Sequence, residues 1–191
     1  MKTLLTRLAA LAVGAALLAV GASGQSSNDA ELTAQLKKLF PNAATFSTKS
    51  GNPAHYKAFG PAAGGKEGEL LGLAYWTTEL EPLERGFDGP IKMLVGLNPS
   101  GEITGVVVTD HREPYGYFSV DLPSWPKQFE GKSIRDSFKV GADVDAISRA
   151  TITVTSASRA IRNSSRKIAR AYLAPPETPS SGAAAPAAAA Q

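Results

Sequence analysis

The sequence contains no cysteine and only two histidines among its 191 residues. Because the chain has no thiolate ligands, we exclude disulfides, zinc fingers, iron–sulfur clusters and attached c-type haem. Two histidines are also too few for a multi-histidine metal site. A redox function in this chain would therefore need an organic cofactor. The 43% hydrophobic and 19% charged content excludes a collagen, a disordered tail protein and a polytopic membrane protein.

Long hydrophobic runs are scarce, and the clearest one lies close to the N-terminus. Lys2 and Arg7 precede an apolar stretch at residues 8–20, and small residues follow at positions 22–24. The stretch is about 13 residues long, whereas a membrane-spanning helix needs about 20. This pattern predicts a Sec-type signal peptide over residues 1–24 and a periplasmic mature chain.

An excess of charge of one sign is also missing from the predicted mature chain. Removing Lys2 and Arg7 from the 20 basic residues leaves 18 against 17 acidic residues. No nucleic-acid partner is therefore expected. Residues 175–191 contain mainly Pro, Ala and Ser, which predicts a disordered tail. The folded part is then one domain over residues 28–174, which is long enough to bury a core.

The hydrophobic pattern predicts an α+β fold with a mostly antiparallel sheet. Asp29 is a candidate N-cap for a short helix that carries Leu32, Leu36 and Leu39 and stops at Pro41. Strands are predicted at residues 44–48, 55–59 and 69–78, with a turn over 60–68 and a loop over 79–89. The strongest local signal is a hairpin that pairs residues 90–97 with 102–110 around Asn-Pro-Ser-Gly.

A C-terminal helix is predicted over residues 156–173, with Ile161, Ile168 and Tyr172 on one stripe. The opposite stripe is basic and contains Arg159, Arg162, Arg166 and Arg170. Such a stripe is typical of a solvated helix face, and peripheral contact with anionic lipid or with an acidic partner is the alternative.

Two candidate sites lie outside this helix, and neither has a specific motif. The segment Gly60 to Glu67 nearly spells a phosphate-binding loop, but Glu67 replaces the hydroxyl residue that such a loop needs, which favours a simple turn. His111, Arg112 and Glu113 have acid–base side chains, yet polar residues at a strand end are ordinary. No Gly-x-Ser-x-Gly elbow is present, so a hydrolase is not predicted. The sequence shows no other set of catalytic residues.

The loop over residues 111–126 is rich in aromatic residues, including Tyr115, Tyr117, Phe118 and Trp125. Aromatic side chains on a loop either contact a flat ligand or pack beneath the loop as a small satellite core. The sequence leaves both alternatives open.

The most informative segment is residues 145–151, Asp-Ala-Ile-Ser-Arg-Ala-Thr. It resembles the flavinylation motif of the FMN-binding domain family. Residues 86–91 (Gly-Phe-Asp-Gly-Pro-Ile) and 95–106 resemble the opening segment and the hairpin of the same family. Residues 111–114 (His-Arg-Glu-Pro) are similar to the periplasmic flavin domain of NosR, more than to the flavin subunits of the Rnf and sodium-pumping NADH:quinone reductase complexes.

The resemblance implies that Thr151 is the covalent acceptor of FMN through a phosphoester. Asp145, Ser148 and Ala150 would then be recognised by a flavin transferase. Arg149 stands where the family usually has glycine, so this residue either adopts an ordinary conformation or carries backbone strain. Its guanidinium is also placed to favour the adjacent phosphate.

Other residues are expected to line the flavin: Phe87 and Tyr115 by aromatic contact, and Gly86 and Gly89 by close backbone approach. The expected function is electron transfer between a membrane redox complex and a periplasmic acceptor, as a carrier more than as an enzyme. No metal site is expected. The alternative is a periplasmic binding or assembly module that has kept the fold and lost the flavin.

Overall fold

The computed structural model describes residues 23–173. The apolar part of the predicted signal peptide and the predicted tail lie outside the described residues, and both stay predictions. The chain divides within its first helix into one unit of residues 1–34 and a second of residues 35–191. The sheet and all later helices belong to the second unit.

The described elements are five strands and four α-helices, with one 3₁₀ turn at Gly116–Phe118. The strands are β1 (Thr45–Phe46), β2 (Tyr56–Phe59), β3 (Leu70–Trp76), β4 (Lys92–Leu97) and β5 (Ile103–Asp110). The helices are α1 (Ser23–Leu39), α2 (Thr77–Leu80), α3 (Ser124–Lys127) and α4 (Thr151–Tyr172). None of these helices is both long enough and apolar enough to span a bilayer.

The strands form one antiparallel meander in the order β1-β2-β3-β4-β5, so the predicted α+β fold is confirmed. The predicted hairpin is β4–β5. Its turn is fixed by Asn98, whose side-chain oxygen accepts the Glu102 amide at 2.9 Å, and by Gly101, whose φ is +81°. Asn and Gly were the turn-forming residues on which the hairpin prediction was based, and they act here through an Asx-type hydrogen bond and a positive φ.

One face of the sheet packs against α4, and this contact forms the main core. Val154, Ile161 and Ile168 are fully buried against strand residues, and burial of one such side chain stabilises the fold by about 1.5–3 kcal/mol. The Tyr75 hydroxyl donates to Ser165 Oγ at 2.7 Å across this interface. Burial raises the pKa of Tyr75.

The other face of the sheet carries glycines that make room for the end of α1. A Cβ at Gly96 would lie 3.1 Å from the Leu39 Cβ, and one at Gly72 would lie 2.6 Å from the Phe40 ring. Leu39 and Phe40 are buried there. The helix ends before Pro41, as predicted.

Several predicted boundaries were wrong. Asp29 lies inside α1 and is not its N-cap. Strand β3 stops at Trp76 and Thr77 is the first residue of α2; the Thr77 hydroxyl oxygen accepts the Met93 amide of β4 at 3.2 Å. The C-terminal helix begins at Thr151, five residues before the predicted start, since burial of Val154 outweighs the weak helix propensity of this β-branched segment.

The loop before α4 is held by the carboxylate of Asp143. It accepts the Ser137 hydroxyl at 2.7 Å and the amides of Lys139 and Phe138 at 2.5 and 2.9 Å. Although desolvation by burial raises the pKa of Asp143, these hydrogen bonds and nearby Lys132 outweigh it and lower the pKa to about 2. The bonds also support Phe138, whose φ is +52°.

This depressed pKa generates a prediction about acid stability. The unfolded-state pKa is about 3.9, so the contribution of Asp143 is complete above pH 4 and disappears as the pH falls towards 2. The variant Asp143→Asn should lose about 1–2 kcal/mol of unfolding free energy at pH 7, after allowance for solvent screening. Urea unfolding at several pH values should show the difference from wild type shrinking below pH 4. A difference that stays constant down to pH 2.5 would contradict this explanation.

Candidate functional site

The segment of residues 145–151 leads directly into the N-terminus of α4. Thr151 is the first residue of the helix and its side chain is exposed. Ala150 is buried and stands in the N-cap position, where it has no side-chain oxygen to offer the helix. Asp145 and Ser148 are both exposed, and the Asp145 amide donates to Gln128 Oε1 at 2.7 Å.

This helix start leaves backbone donors free. The first hydrogen bond of the helix runs from the Val154 amide to the Ala150 carbonyl at 2.9 Å. Among the residues that the structure describes, the amides of Thr151, Ile152 and Thr153 have no hydrogen-bond partner. Free amides and the positive end of the helix dipole together favour a bound anion such as a phosphate.

Arg149 adopts a backbone conformation that favours glycine. Its φ is +67°, in the left-handed region that costs a non-glycine residue about 1–2 kcal/mol. Of the two conformations considered from the sequence, the strained one is therefore found. The side chain is exposed and forms no hydrogen bond within residues 23–173. Its guanidinium is available to an anion beside Thr151.

A buried carboxylate joins this helix start to the loop of residues 86–89. Glu113 is only 6% exposed, and its two oxygens accept the amides of Phe87 and Asp88, both at 2.9 Å. The Thr153 hydroxyl donates to the same carboxylate. Glu113 therefore fixes the loop against the first turn of α4, within two residues of Thr151.

The glycines of the loop are required by this arrangement. A Cβ at Gly86 would collide with Glu113 Oε1, and Gly89 has a φ of +125°. The loop is closed by a bond from the Gly86 amide to the Gly89 carbonyl at 2.7 Å. Glycine is thus required at position 86 because it permits the close approach of Glu113. This requirement was not evident from the sequence.

Exposed apolar side chains border the same helix start. Phe87 is 67% exposed and Ile152 is 57% exposed, and both belong to segments that Glu113 connects. Tyr115 is 42% exposed and its ring packs on Phe118 at 5.3 Å. Exposed apolar side chains of this size are available for contact with a ligand.

Some aromatic residues of the loop over 111–126 are exposed and available to a ligand, and others pack beneath the loop. Tyr115 and Tyr117 are exposed, whereas Trp125 is buried and packs on Phe129 at 5.0 Å. Of these three, only the two tyrosines are free to contact a ligand.

His111 has a structural role. Its Nδ1 accepts the Glu113 amide at 3.1 Å, so the proton of the neutral ring sits on Nε2, which lies 2.8 Å from Asp121 Oδ1. The Glu113 carboxylate accepts the hydrogen bonds from Phe87, Asp88 and Thr153. The candidate acid–base group of residues 111–113 thus has its His and Glu engaged within the protein. Across residues 23–173, no cluster of three or more His, Asp or Glu is placed to hold a metal ion.

The arginine stripe of α4 is largely bound to the protein itself. Arg159 lies 3.5 Å from Glu84, which also accepts the Ser156 hydroxyl at 3.0 Å. Arg166 donates to the carbonyls of Ile134 and Asp136, both at 2.8 Å. Much of the stripe therefore braces neighbouring loops, which leaves less of it for a membrane surface than the sequence pattern allows.

The segment that carries these features can be compared with known families. Residues 86–166 match the FMN-binding domain family. The match runs from the loop held by Glu113 to Arg166 of the arginine stripe, and it confirms the family predicted from the three sequence motifs. It supports FMN as the cofactor, and the free amides beside Thr151 fit a phosphate-bearing group.

The chain is also similar to several curated proteins that are named as a subunit of an ion-translocating oxidoreductase complex. The Haemophilus influenzae (strain PittEE) protein is 33% identical over 118 residues, covering 56% of this chain and 53% of the relative. The Shewanella oneidensis protein is 30% identical over 145 residues, covering 71% of this chain and 63% of the relative. The chain spans about half the length of the first of these relatives. The closer resemblance to NosR stays a prediction.

Glu113 is the residue whose importance the sequence understated, and its role can be tested. In Glu113→Gln an amide NH₂ replaces one oxygen and faces a backbone or hydroxyl donor, leaving a buried donor unpaired. We expect the free energy of unfolding to fall by about 1–3 kcal/mol, measured by urea titration. The control is Glu67→Gln, in an exposed turn, which should change stability by less than about 0.5 kcal/mol. Equal losses of unfolding free energy in the two variants would contradict the role of Glu113 in connecting the loop to α4.

Proposed function

We propose that this protein is an exported electron-transfer flavoprotein that carries FMN on Thr151 through a phosphoester. The observation that carries the proposal is the position of Thr151: its side chain is exposed at a helix start whose free amides favour a phosphate, inside the segment that matches the FMN-binding domain family. The periplasmic location rests on the predicted signal peptide alone.

In the proposed attachment the Thr151 hydroxyl oxygen forms a bond to the phosphorus of the flavin phosphate while the bond from that phosphorus to a leaving group breaks. The hydroxyl proton goes to the leaving group, which is a nucleoside monophosphate when the transferase supplies the flavin as a dinucleotide. A flavin transferase would supply the flavin and recognise Asp145, Ser148 and Ala150. The chain then holds the phosphate with the amides at the start of α4, and Arg149 adds a cation. The covalent bond replaces binding affinity, which prevents loss of the flavin by diffusion outside the cell.

The neighbouring threonines are poorer acceptors. Thr153 is 3% exposed and its hydroxyl is engaged by Glu113. Thr155 is half-buried on the next turn. Accessibility to a transferase therefore favours Thr151.

Bound FMN accepts and donates electrons, and the chain's part is to position its ring. Phe87, Tyr115 and Ile152 offer the exposed apolar surface for ring contact, and Glu113 joins the segments of Phe87 and Ile152. Ring contacts and nearby polar groups then tune the redox potential. We propose that the protein is an electron carrier more than an enzyme, because its relatives are named as a subunit of an oxidoreductase complex.

The proposed partners are the flavin transferase and a membrane-bound electron-transfer complex, with a periplasmic protein as acceptor or donor. The names of the similar proteins support a complex that moves ions and electrons together. The conformation of Arg149 favours one alternative, a binding or assembly module without flavin, since strain at the glycine position of the motif could hinder the transferase.

The attachment is tested by mass spectrometry of the mature protein from cells that contain a flavin transferase. Wild type should gain the mass of one FMN minus one water, located on the peptide that contains Thr151. Thr151→Ala should remain folded and unlabelled, whereas the matched control Thr155→Ala should be labelled like wild type. An unmodified wild-type protein, in cells that label another FMN-binding domain, would favour the module without flavin.

A second test concerns the strain at Arg149. Glycine accepts φ near +67° without a steric penalty, although it loses more backbone entropy on folding, so Arg149→Gly should be more stable by about 0.5–1 kcal/mol. If the strain slows attachment, the labelled fraction at early times should rise in the same variant. Arg85→Gly, on a loop residue, is the control for loss of charge. A destabilised Arg149→Gly would show that the side chain contributes more than its conformation costs.

A further inference from the structure

The C-terminal end of α4 borders a groove that the proposed flavin function does not use. The groove has a volume of about 560 Å³ and lies between the turn of the β4–β5 hairpin, the loop after Ser133 and the last turns of α4. Thr151 is at the other end of the same helix. Arg170 lies nineteen positions after Thr151, so the two regions are about 29 Å apart along the helix axis.

The walls of the groove are strongly basic. Arg135, Arg166 and Arg170 line it, and Glu102 is its one acidic lining residue. The Glu102 carboxylate accepts the Asn98 side-chain amide at 3.0 Å, which draws it towards the hairpin turn. Ser100 and Ser133 also line the groove, and the Ser133 hydroxyl oxygen accepts the Arg135 amide at 3.2 Å. The set of groups is therefore cationic with additional hydrogen-bond donors.

One of the arginines is fixed in place. Arg166 is half-buried, and its Nε and one terminal nitrogen donate to the carbonyls of Ile134 and Asp136, both at 2.8 Å. Carbonyl partners hold the guanidinium without neutralising its charge. Its other terminal nitrogen has no hydrogen bond within the described part of the chain, so one donor edge remains available.

The groove arginines have no acidic partner among the described residues, whereas two other basic residues of α4 each have one. Arg159 pairs with Glu84 at 3.5 Å, and Lys167 pairs with Glu81 at 2.8 Å. Over residues 23–173, neither Arg135 nor Arg170 forms a salt bridge. Basic residues in the last turns of a helix complement its dipole, which accounts for Arg170. It does not account for Arg135, which reaches the groove from a separate loop.

We propose that this groove binds the phosphate group of an anionic ligand. Guanidinium groups bind phosphate oxygens through pairs of charge-assisted hydrogen bonds, and hydroxyls such as those of Ser100 and Ser133 supply further donors. The excess of cationic over acidic lining groups matches a ligand with negative charge. The phosphate belongs either to a soluble molecule or to the headgroup of an anionic lipid, and the experiment separates these two sources.

The experiment compares wild type with the double variant Arg135→Ala/Arg170→Ala, which leaves the loop-bracing Arg166 intact. The control is Lys57→Ala/Lys66→Ala, which removes the same charge from exposed positions outside the groove. Binding is measured by calorimetric titration with inorganic phosphate, and by co-sedimentation with vesicles of phosphatidylglycerol or of phosphatidylcholine alone, at about 0.15 M salt.

The groove variant should lose affinity about tenfold or more while the control keeps wild-type affinity. Saturable binding of inorganic phosphate that follows this pattern supports a soluble ligand. Sedimentation with phosphatidylglycerol and not with phosphatidylcholine, again lost only in the groove variant, supports a lipid headgroup. Failure of wild type to bind either probe, or equal losses in both variants, would overturn the proposal. FMN labelling of Thr151 should be unchanged in all of these variants, so the result is independent of the proposed flavin function.

Discussion

The carboxylate of Glu113 is the constraint on which the candidate site depends. It is buried, and it accepts two amides from the loop at residues 86–89 and one hydroxyl from the first turn of α4. A buried carboxylate is stable only when its oxygens are well supplied with donors, so the loop and the helix start must stay together. Gly86 is the residue that lets the carboxylate come so close to the loop.

The remaining features of the site follow from that connection. The loop is held beside the helix start without using the first amides of α4, which remain free for an anion. Thr151 is exposed beside them, while Thr153 is buried and bonded to Glu113. At the far end of the same helix, arginines without acidic partners among the described residues line a groove. One packed helix thus presents two anion-attracting regions that are separated by about 29 Å.

The sequence predicted what depends on local pattern. The β4–β5 hairpin follows from Asn98 and Gly101, and the family followed from motifs in order along the chain. The start of α4 was predicted five residues too late, because burial of Val154 is a tertiary effect. The role of Glu113 was missed for a related reason, since its partners are 26 and 40 residues away in sequence. The backbone angle of Arg149 is also a consequence of the surrounding fold, although the unusual residue in the motif pointed to that position.

The central claim is that a flavin is covalently bound at the start of α4, and denaturation tests it most directly. The mature protein, produced with an active flavin transferase, is precipitated with acid, and flavin absorbance is measured in the pellet and the supernatant. The account predicts that the flavin stays with the wild-type polypeptide and that none stays with Thr151→Ala. Flavin released entirely into the supernatant from wild-type protein, or retained equally by both proteins, would contradict it.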